Sequence, residues 1–273
     1  MRNSVFGLSL SDITRKELVK LLVRDFVPPG NGPRLIATAN LDHVANLARF
    51  PEFRDAYNSA WLITADGAPV YLYARLRGIP LGERVTGADL FPELVSRFTR
   101  RHRVFFIASS ELAVRRALDK LKANRVPTEH FKFLVPPFGF EDDEAYSYEL
   151  TKKIREHRTT HLLMCVGSPK SELWVWRHRA ALGDLYAIGL GASLEFFAGT
   201  ISRAPPLFRK LGFEWIWRLA MEPRRLARRY LWNSMRFLIA VFYDLSGHGI
   251  ALKDSPDFKQ FDEPHPGGLL LPK

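Results

Sequence analysis

The sequence predicts an α/β fold: a Rossmann-like, mostly parallel sheet with helices on both faces, followed by a C-terminal helical appendage. Two observations lead to this prediction. Short apolar runs alternate with helical patterns over the first two-thirds of the 273 residues, which is typical of βαβ units. Beyond about residue 200 the strand pattern stops, and arginine and tryptophan become frequent at helical spacing.

Six strands are predicted, most of them short apolar runs, with helices between them. They comprise residues 35–38, 62–64, 104–108, 131–135, 162–166 and 185–188. Ser110 precedes a helical run over 112–121, and Asp142 and Asp143 precede another over 145–154. Such residues favour helix N-termini, because they accept hydrogen bonds from the free backbone N–H groups. We therefore expect one α/β domain over residues 1–200.

Residues 201–250 are predicted to form a basic, Trp-rich helical appendage, and residues 251–273 a loose tail. Between positions 203 and 236 there are nine basic and two acidic residues, so this stretch holds most of the chain's formal charge of +11. Apolar residues recur there at three- and four-residue steps, with arginines mostly between them. A basic amphipathic segment with Trp215, Trp217 and Trp232 is the composition expected at an anionic membrane surface. The alternative is a helix pair packed on the core with a solvated basic face.

Several classes of site and protein are disfavoured by composition. Cys165 is the single cysteine, which excludes an intramolecular disulfide and multi-cysteine metal sites, and we expect it to be a buried strand thiol. The eight histidines are scattered, so no metal is predicted. No apolar run approaches the ~20 residues of a spanning helix or resembles a signal peptide. We therefore expect a cytoplasmic protein.

Polar residues follow the strands at the edge where open α/β sheets bind ligands. Thr38 and Asn40 lie at the end of the first strand, Asp66 and Gly67 follow the second, and a polar segment over 167–172 follows the fifth. A carboxylate at position 66 could act as a base at a cleft edge. Taken alone, however, a helix cap or a turn accounts for Asp66 better than a base does.

Three further segments have two interpretations each. Gly167 permits close backbone approach and Lys170 could meet phosphate, but a strand-to-helix turn with a solvated lysine fits better in isolation. Arg84 could neutralise a diphosphate leaving group, or it could pair with Asp89 on the surface. The glycines within 189–192 could bring backbone amides to a ligand or form a tight turn.

In their order and spacing, these motifs resemble the WecG/TagA/CpsF glycosyltransferase family from about residue 3 to about residue 230. The resemblance is carried by Thr38-x-Asn40, Asp66-Gly67, Glu83-Arg84-Val85-x-Gly87-x-Asp89, Gly167-x-Pro169-Lys170-x-Glu172, Gly189-x-Gly191-Ala192, Ala198-Gly199, Arg203-Ala204-Pro205, Glu214-Trp215-x-x-Arg218-Leu219 and Glu222-Pro223-x-Arg225-x-x-Arg228-Arg229-Tyr230. It implies inverting, metal-independent transfer of a hexosyl or N-acetylmannosaminyl group from a UDP-sugar to a polyprenyl-diphosphate-linked saccharide. Exopolysaccharide, capsule or a related surface glycan would be the product, made at the inner face of the cell membrane.

The resemblance also implies roles for individual residues and partners. Asp66 would be the general base, Thr38 and Asn40 would position the sugar or acceptor, and Arg84 would stabilise the developing diphosphate charge. Further substrate contacts would come from Gly67, Gly87, Asp89, Gly167, Pro169, Lys170, Ser171, Glu172, Gly189 and Gly191. The appendage would close the site with Arg218, Arg225 and Arg228. The partners would be the two substrates and an anionic membrane surface, with neither a cofactor nor nucleic acid, and self-association is plausible.

Two departures from the family pattern stand out. Ser171 replaces the usual Gln of the Gly-x-Pro-Lys-Gln-Glu motif, and Ser109-Ser110 replaces a glycine pair, so we expect altered substrate contacts there. A nucleotide-dependent oxidoreductase is one alternative, but no G-x-G-x-x-G opens a helix after the first strand. A non-catalytic membrane-associated scaffold is the other, and it should tolerate Asp66→Asn.

Overall fold

The computed structural model describes residues 4–210 and 212–247, without the side chains of Lys210, Arg225 and Arg229. One six-stranded parallel sheet forms its centre, with strand order β2-β1-β6-β5-β3-β4. The strands are β1 (Arg34–Ala39), β2 (Leu62–Ala65), β3 (Val104–Ala108), β4 (Phe131–Leu134), β5 (His161–Cys165) and β6 (Tyr186–Gly189). The predicted α/β fold is confirmed, and each predicted strand overlaps an observed one. The predicted tail over 251–273 lies outside the described residues.

Helices connect the strands and complete the chain. They are α1 (Arg15–Arg24), α2 (Leu41–Arg49), α3 (Pro51–Asn58), α4 (Ala68–Leu76), α5 (Gly87–Ser96), α6 (Glu111–Ala123), α7 (Glu144–Glu156), α8 (Lys170–Arg177), α9 (Arg179–Leu182), α10 (Ser193–Ala198), α11 (Pro206–Lys210), α12 (Glu214–Met221) and α13 (Pro223–Leu245). Ser110 accepts a hydrogen bond from the backbone of Ala113 at 3.3 Å, and Asp143 accepts one from Tyr146 at 2.9 Å. Both predicted helix starts are therefore capped as expected.

Strands β3, β5 and β6 are buried throughout because helices cover both faces of the sheet, to which successive strand residues point alternately. On β3, Val104, Phe106 and Ala108 pack with α1, α5, α6 and α10, whereas Phe105 and Ile107 pack with α7 and α8 on the other face. Strands that are covered on both sides read as continuous apolar runs, and this explains the unbroken runs in the sequence. The polar residues that end the strands are left at the rim, where a site can form.

The C-terminal part is helical, as predicted, but it is divided into α11, α12 and α13. Gly212 adopts a left-handed backbone with φ 79° between α11 and α12, and Pro223 opens α13. The second half of α13 packs on α2 and buries Phe237 and Ala240 in the core. The first half exposes Arg228. Among the described residues, no helix combines the length and apolar character needed to cross a membrane.

Candidate active site

Asn40 and Asp66 lie side by side because β1 and β2 end in register. Ala39 pairs with Ala65, and the backbone N–H of Asp66 donates to the Ala39 carbonyl at 2.8 Å. The Asn40 side-chain oxygen accepts from the backbone of His43 at 3.2 Å and caps α2, which leaves its amide NH₂ to donate to the Asp66 carboxylate. A Cβ on Gly67 would lie 3.1 Å from the Asn40 Cβ, so glycine permits this close approach.

Asp66 is not the cap of α4, since Gly67 occupies the N-cap position and α4 has no side-chain cap hydrogen bond. The alternative in which Asp66 serves as a helix cap is therefore wrong. Burial raises the pKa of Asp66 to about 7; the Arg84 charge and the Asn40 hydrogen bond oppose the rise, while the Glu214 and Asp89 charges add to it. A carboxyl that ionises near neutrality suits a general base.

Arg84 and Asp89 connect the loop before α5 to the C-terminal segment. Arg84 Nη2 donates to the Arg209 carbonyl at 2.8 Å. Asp89 Oδ1 lies 2.7 Å from Arg203 Nη2, and Asp89 Oδ2 accepts from the Thr86 hydroxyl at 2.8 Å. Burial works against ionisation of Asp89, but the Thr86 hydrogen bond and the Arg203 charge outweigh it and lower the pKa. The structure therefore places Arg84 and Asp89 at the junction with the C-terminal helices. Arg84 contacts Arg209 and Asp89 contacts Arg203, in place of the predicted surface pair between Arg84 and Asp89.

Thr38, Gly189 and Glu172 form a buried layer at the same edge. The Thr38 hydroxyl donates to the Gly189 carbonyl at 3.2 Å, which ties β1 to β6. Glu172 Oε1 lies 2.5 Å from where a Cβ on residue 189 would sit, so a side chain there would displace the Glu172 carboxylate. Glu172 is 1% exposed, and burial raises its pKa to about 7. Its Oε2 atom has no hydrogen-bond partner among the described residues.

The turn between β5 and α8 holds its polar side chains in place. Gly167 has a left-handed backbone with φ 84°, and the buried Ser171 hydroxyl donates back to the Gly167 carbonyl at 3.1 Å. Lys170 Nζ lies 2.5 Å from Glu141 Oε1, so the lysine of this strand-to-helix turn is ion-paired as well as partly exposed. The ion pair ties Lys170 to the segment before α7, and Ser171 uses its hydroxyl on the backbone.

The remaining predicted positions in the α/β part lie in turns around this edge. Gly87 opens α5, and a Cβ there would lie 3.1 Å from the Ser193 hydroxyl, so the residue allows α5 to meet α10. Pro169 precedes α8, and Gly191 lies between β6 and α10. These three residues shape the turns from which α5, α8 and α10 leave the site.

The predicted arginines of the appendage differ in their surroundings. Arg218 on α12 places its guanidinium carbon 5.7 Å from the centre of the Phe196 ring, and Arg228 is exposed on α13. The side chain of Arg225 lies outside the described residues. Glu214, in the first turn of α12, raises the pKa of Asp66 through its charge, which places this end of α12 beside the candidate base.

Sequence reasoning assigned no role to three polar residues of this edge: Glu195, Arg203 and Glu214. Glu195 is buried on α10, accepts a hydrogen bond from the Ser109 hydroxyl, and has an Oε2 atom without a partner among the described residues. Long separations along the chain hide these contacts, since no spacing pattern relates residue 214 to residue 66.

Cys165 is a buried strand thiol, as predicted. Among the described residues, no group of His, Cys, Asp and Glu is placed to hold a metal ion.

Comparisons with known proteins relate the chain to a family of enzymes. A model described as the glycosyl transferase WecG/TagA/CpsF family matches residues 3–248. The chain is also similar to the N-acetylglucosaminyldiphosphoundecaprenol N-acetyl-beta-D-mannosaminyltransferases of Staphylococcus aureus strains MW2 and NCTC 8325 / PS 47. Each is 27% identical over 224 residues, covering 82% of this chain and 86% of the relative.

Proposed function

Because the chain belongs to the WecG/TagA/CpsF family of glycosyl transferases, we propose that it moves a sugar from a UDP-sugar to a polyprenyl-diphosphate-linked saccharide with inversion. The observation that carries this proposal is Asp66, whose pKa is raised to about 7 beside Arg84 at the carboxyl edge of the sheet. The carboxylate takes the proton from the acceptor hydroxyl as that oxygen attacks the anomeric carbon. The bond from the sugar to the diphosphate breaks on the opposite face, and UDP leaves.

Charge on the departing diphosphate needs compensation during this step. Arg84 supplies a guanidinium at the site, and Arg218, Arg225 and Arg228 are the further cations that we assign to the diphosphate. Fixed cationic donors can offset the leaving charge without a metal ion, so we propose a metal-independent reaction. Excess chelator should then leave the initial rate unchanged, and a loss of rate that Mg²⁺ or Mn²⁺ restores would refute this part of the proposal.

Thr38 and Asn40 have different parts in this scheme. Asn40 donates to the Asp66 carboxylate and orients the base. Thr38 is buried and holds the ends of β1 and β6 together, so it supports the sugar site through the backbone of Gly189. The motif residues of the β5–α8 turn also support the site through the backbone, since the Ser171 hydroxyl donates to the Gly167 carbonyl.

The relatives' name identifies the first substrates to try. The Staphylococcus aureus proteins are named for transfer of N-acetylmannosamine to N-acetylglucosaminyldiphosphoundecaprenol. We propose a hexosyl or N-acetylmannosaminyl donor for this chain, in the synthesis of a wall polymer, capsule or exopolysaccharide. Full-length protein incubated with a panel of UDP-sugars and a short-chain polyprenyl-diphosphate N-acetylglucosamine should transfer one sugar. Intact acceptor with every donor, analysed by mass spectrometry, would refute the proposal.

An anionic membrane surface at the inner face of the cell membrane is the proposed location of the acceptor. Large apolar side chains are exposed on the C-terminal helices: Trp215, Ile216, Leu231, Trp232, Met235, Leu238 and Phe242. Exposed Arg224 and Arg228 flank them, which is the combination that binds anionic lipid. The protein should sediment with phosphatidylglycerol vesicles more than with phosphatidylcholine vesicles. Leu238→Glu should weaken this binding, whereas Leu112→Glu on α6 should not.

A further inference from the structure

Asp244, in the last turn of α13, accepts hydrogen bonds from two other parts of the chain. Its Oδ1 accepts from the backbone N–H of Phe6 at 2.8 Å, and its Oδ2 accepts from the Tyr73 hydroxyl at 2.7 Å and from the Arg77 guanidinium. The side chain is 8% exposed, although it lies near the end of a surface helix. The backbone N–H of Ser246 donates to the carbonyls of Phe242 and Asp244 and already closes α13. The Asp244 contacts therefore fix α13 to the α/β domain.

Apolar and polar contacts along α13 support the same attachment. The Phe6 ring stacks on Tyr73 with 4.8 Å between ring centres and lies 5.4 Å from Phe237. On α13, about one helical turn before Phe237, Asn233 Nδ2 donates to Oδ1 of Asp42 on α2 at 2.8 Å. The C-terminal half of α13 is thus fixed both along and around its axis.

Helix α4 connects this attachment to the candidate base. It begins two residues after Asp66 and carries Tyr73 in its second half, and Arg77 follows its last residue. At 1.5 Å per residue, its nine residues span about 13 Å. At the other end, α13 packs on α12, whose Glu214 acts on Asp66. The two helices that meet at Asp244 therefore both lead back to the site.

We infer that Asp244 is a positioning residue, which keeps α12 and the arginine-bearing first half of α13 at a fixed position relative to Asp66. The inference rests on the proposed function for its effect on transfer and on the contacts above for its effect on structure. Loss of the clamp formed by Asp244, Tyr73, Arg77 and the Phe6 N–H lets α12 and the first half of α13 move relative to α4. The chemistry of Asp66 and the apolar lipid-facing side chains are left intact.

The test compares Asp244→Asn with Asp244→Glu and with the matched control Glu111→Gln, which removes a carboxylate paired with Arg115 on α6. Asp244→Asn should lower kcat/KM by about tenfold at a temperature where it is folded, because small displacements from productive geometry are costly. Asp244→Glu should recover most of the rate, and Glu111→Gln should match the wild type. Binding to phosphatidylglycerol vesicles should be unchanged. A variant with a lower Tm but the kcat/KM of the wild type would overturn the inference.

Hydrogen exchange gives a readout that does not depend on turnover. In Asp244→Asn, amides over 214–232 should exchange faster, while amides of β3 and β5 should not change. If wild-type protein transfers no sugar, the proposed function fails, and exchange over 214–232 alone decides the clamp. Unchanged exchange there would overturn it. If Asp244→Asn does not fold, Tyr73→Phe removes one donor, keeps the carboxylate and is judged by the same two measurements.

Discussion

The two edges of the sheet place buried ionisable groups in opposite situations. At the amino edge, the buried rings of His102, His157 and His161 donate to backbone carbonyls at 3.0, 3.0 and 2.8 Å. Burial lowers the pKa of all three and brings that of His161 to about 3, so this ring stays neutral at physiological pH. These histidines are structural, because their ring nitrogens have partners.

At the carboxyl edge, buried acids are left with unused acceptors. Glu172 and Glu195 each have an oxygen without a hydrogen-bond partner among the described residues, and Asp66 is held at a pKa of about 7. A buried polar group without a partner is costly, so its presence requires an explanation. The comparison teaches that the candidate site lies at the edge where the fold leaves polar groups unsatisfied, which is typical of functional sites.

The largest effect is expected at Asp66. Asp66→Asn preserves the shape of the side chain and its contact with Asn40 but removes the proton acceptor. Transfer should fall by about 10³-fold, the range for loss of a general base, while the circular dichroism spectrum stays that of the wild type. Asp119→Asn, an exposed change on α6, is the control. Normal transfer by Asp66→Asn would show that Asp66 is not the general base.

Arg84 and Arg97 provide a matched pair of arginines at the two edges. Arg84→Ala should reduce kcat by about 10²-fold, because it removes charge stabilisation from the leaving diphosphate. Arg97→Ala removes an arginine with 60% exposed side chain that pairs with Glu93, and it should leave kcat unchanged. Equal losses in the two variants would show that general charge, rather than position, matters.

Glu172 should destabilise the fold as the pH rises. Its pKa is about 7 in the folded protein against 4.5 for an ordinary glutamate, so the folded state binds more protons between these values. Stability from this group is present below about pH 4.5 and is lost as the pH rises through 7, by about 3 kcal/mol at pH 8. Denaturant unfolding of Glu172→Gln should show a weaker decline from pH 5 to 8. The exposed control Glu156→Gln should follow the wild type.

His161 should show the reverse dependence and a smaller effect. Its pKa is about 3 when folded against 6.5 for an ordinary histidine, so the unfolded chain binds the extra proton. Stability is therefore lost as the pH falls below 6.5, by about 2 kcal/mol at pH 5. His161→Gln should reduce the fall in unfolding free energy between pH 7 and 5. An unchanged slope would show that the ring is not the source.

Local patterns were enough to predict the fold, whereas the candidate site was predicted from the family resemblance of several motifs taken together. The strands were found because β3, β5 and β6, which are buried on both faces, form unbroken apolar runs, whereas the edge strand β4 carries an exposed Lys132. Asn40 and Asp66 stood out because they follow β1 and β2, and the roles predicted for them and for Arg84 came from the family resemblance. The division of the C-terminal segment at Gly212 and Pro223 was missed, since helical spacing continues on both sides of these residues. The clamp at Asp244 was also missed, because its donors at positions 6 and 73 are far away in the sequence.

Burial explains the rest of the difference between prediction and structure. Thr38, Ser171 and Glu172 stand in motifs that suggest contact with substrate, yet their side chains are buried and bind or pack against neighbouring backbone. A sequence shows that a polar residue ends a strand but not which way its side chain turns. Only the packing of α8 against β6 reveals that Glu172 Oε1 lies against Gly189 and that Oε2 has no partner among the described residues.

The pH dependence of kcat/KM for sugar transfer tests the role of Asp66 most directly. A base must be ionised to accept a proton, so the rate should be low in acid and rise with unit slope to a plateau, with its midpoint near the pKa of about 7. Asp66→Asn should lose this rise and show a flat residual rate. A midpoint near 7 that persists in Asp66→Asn would contradict the account, because another group would then be the base.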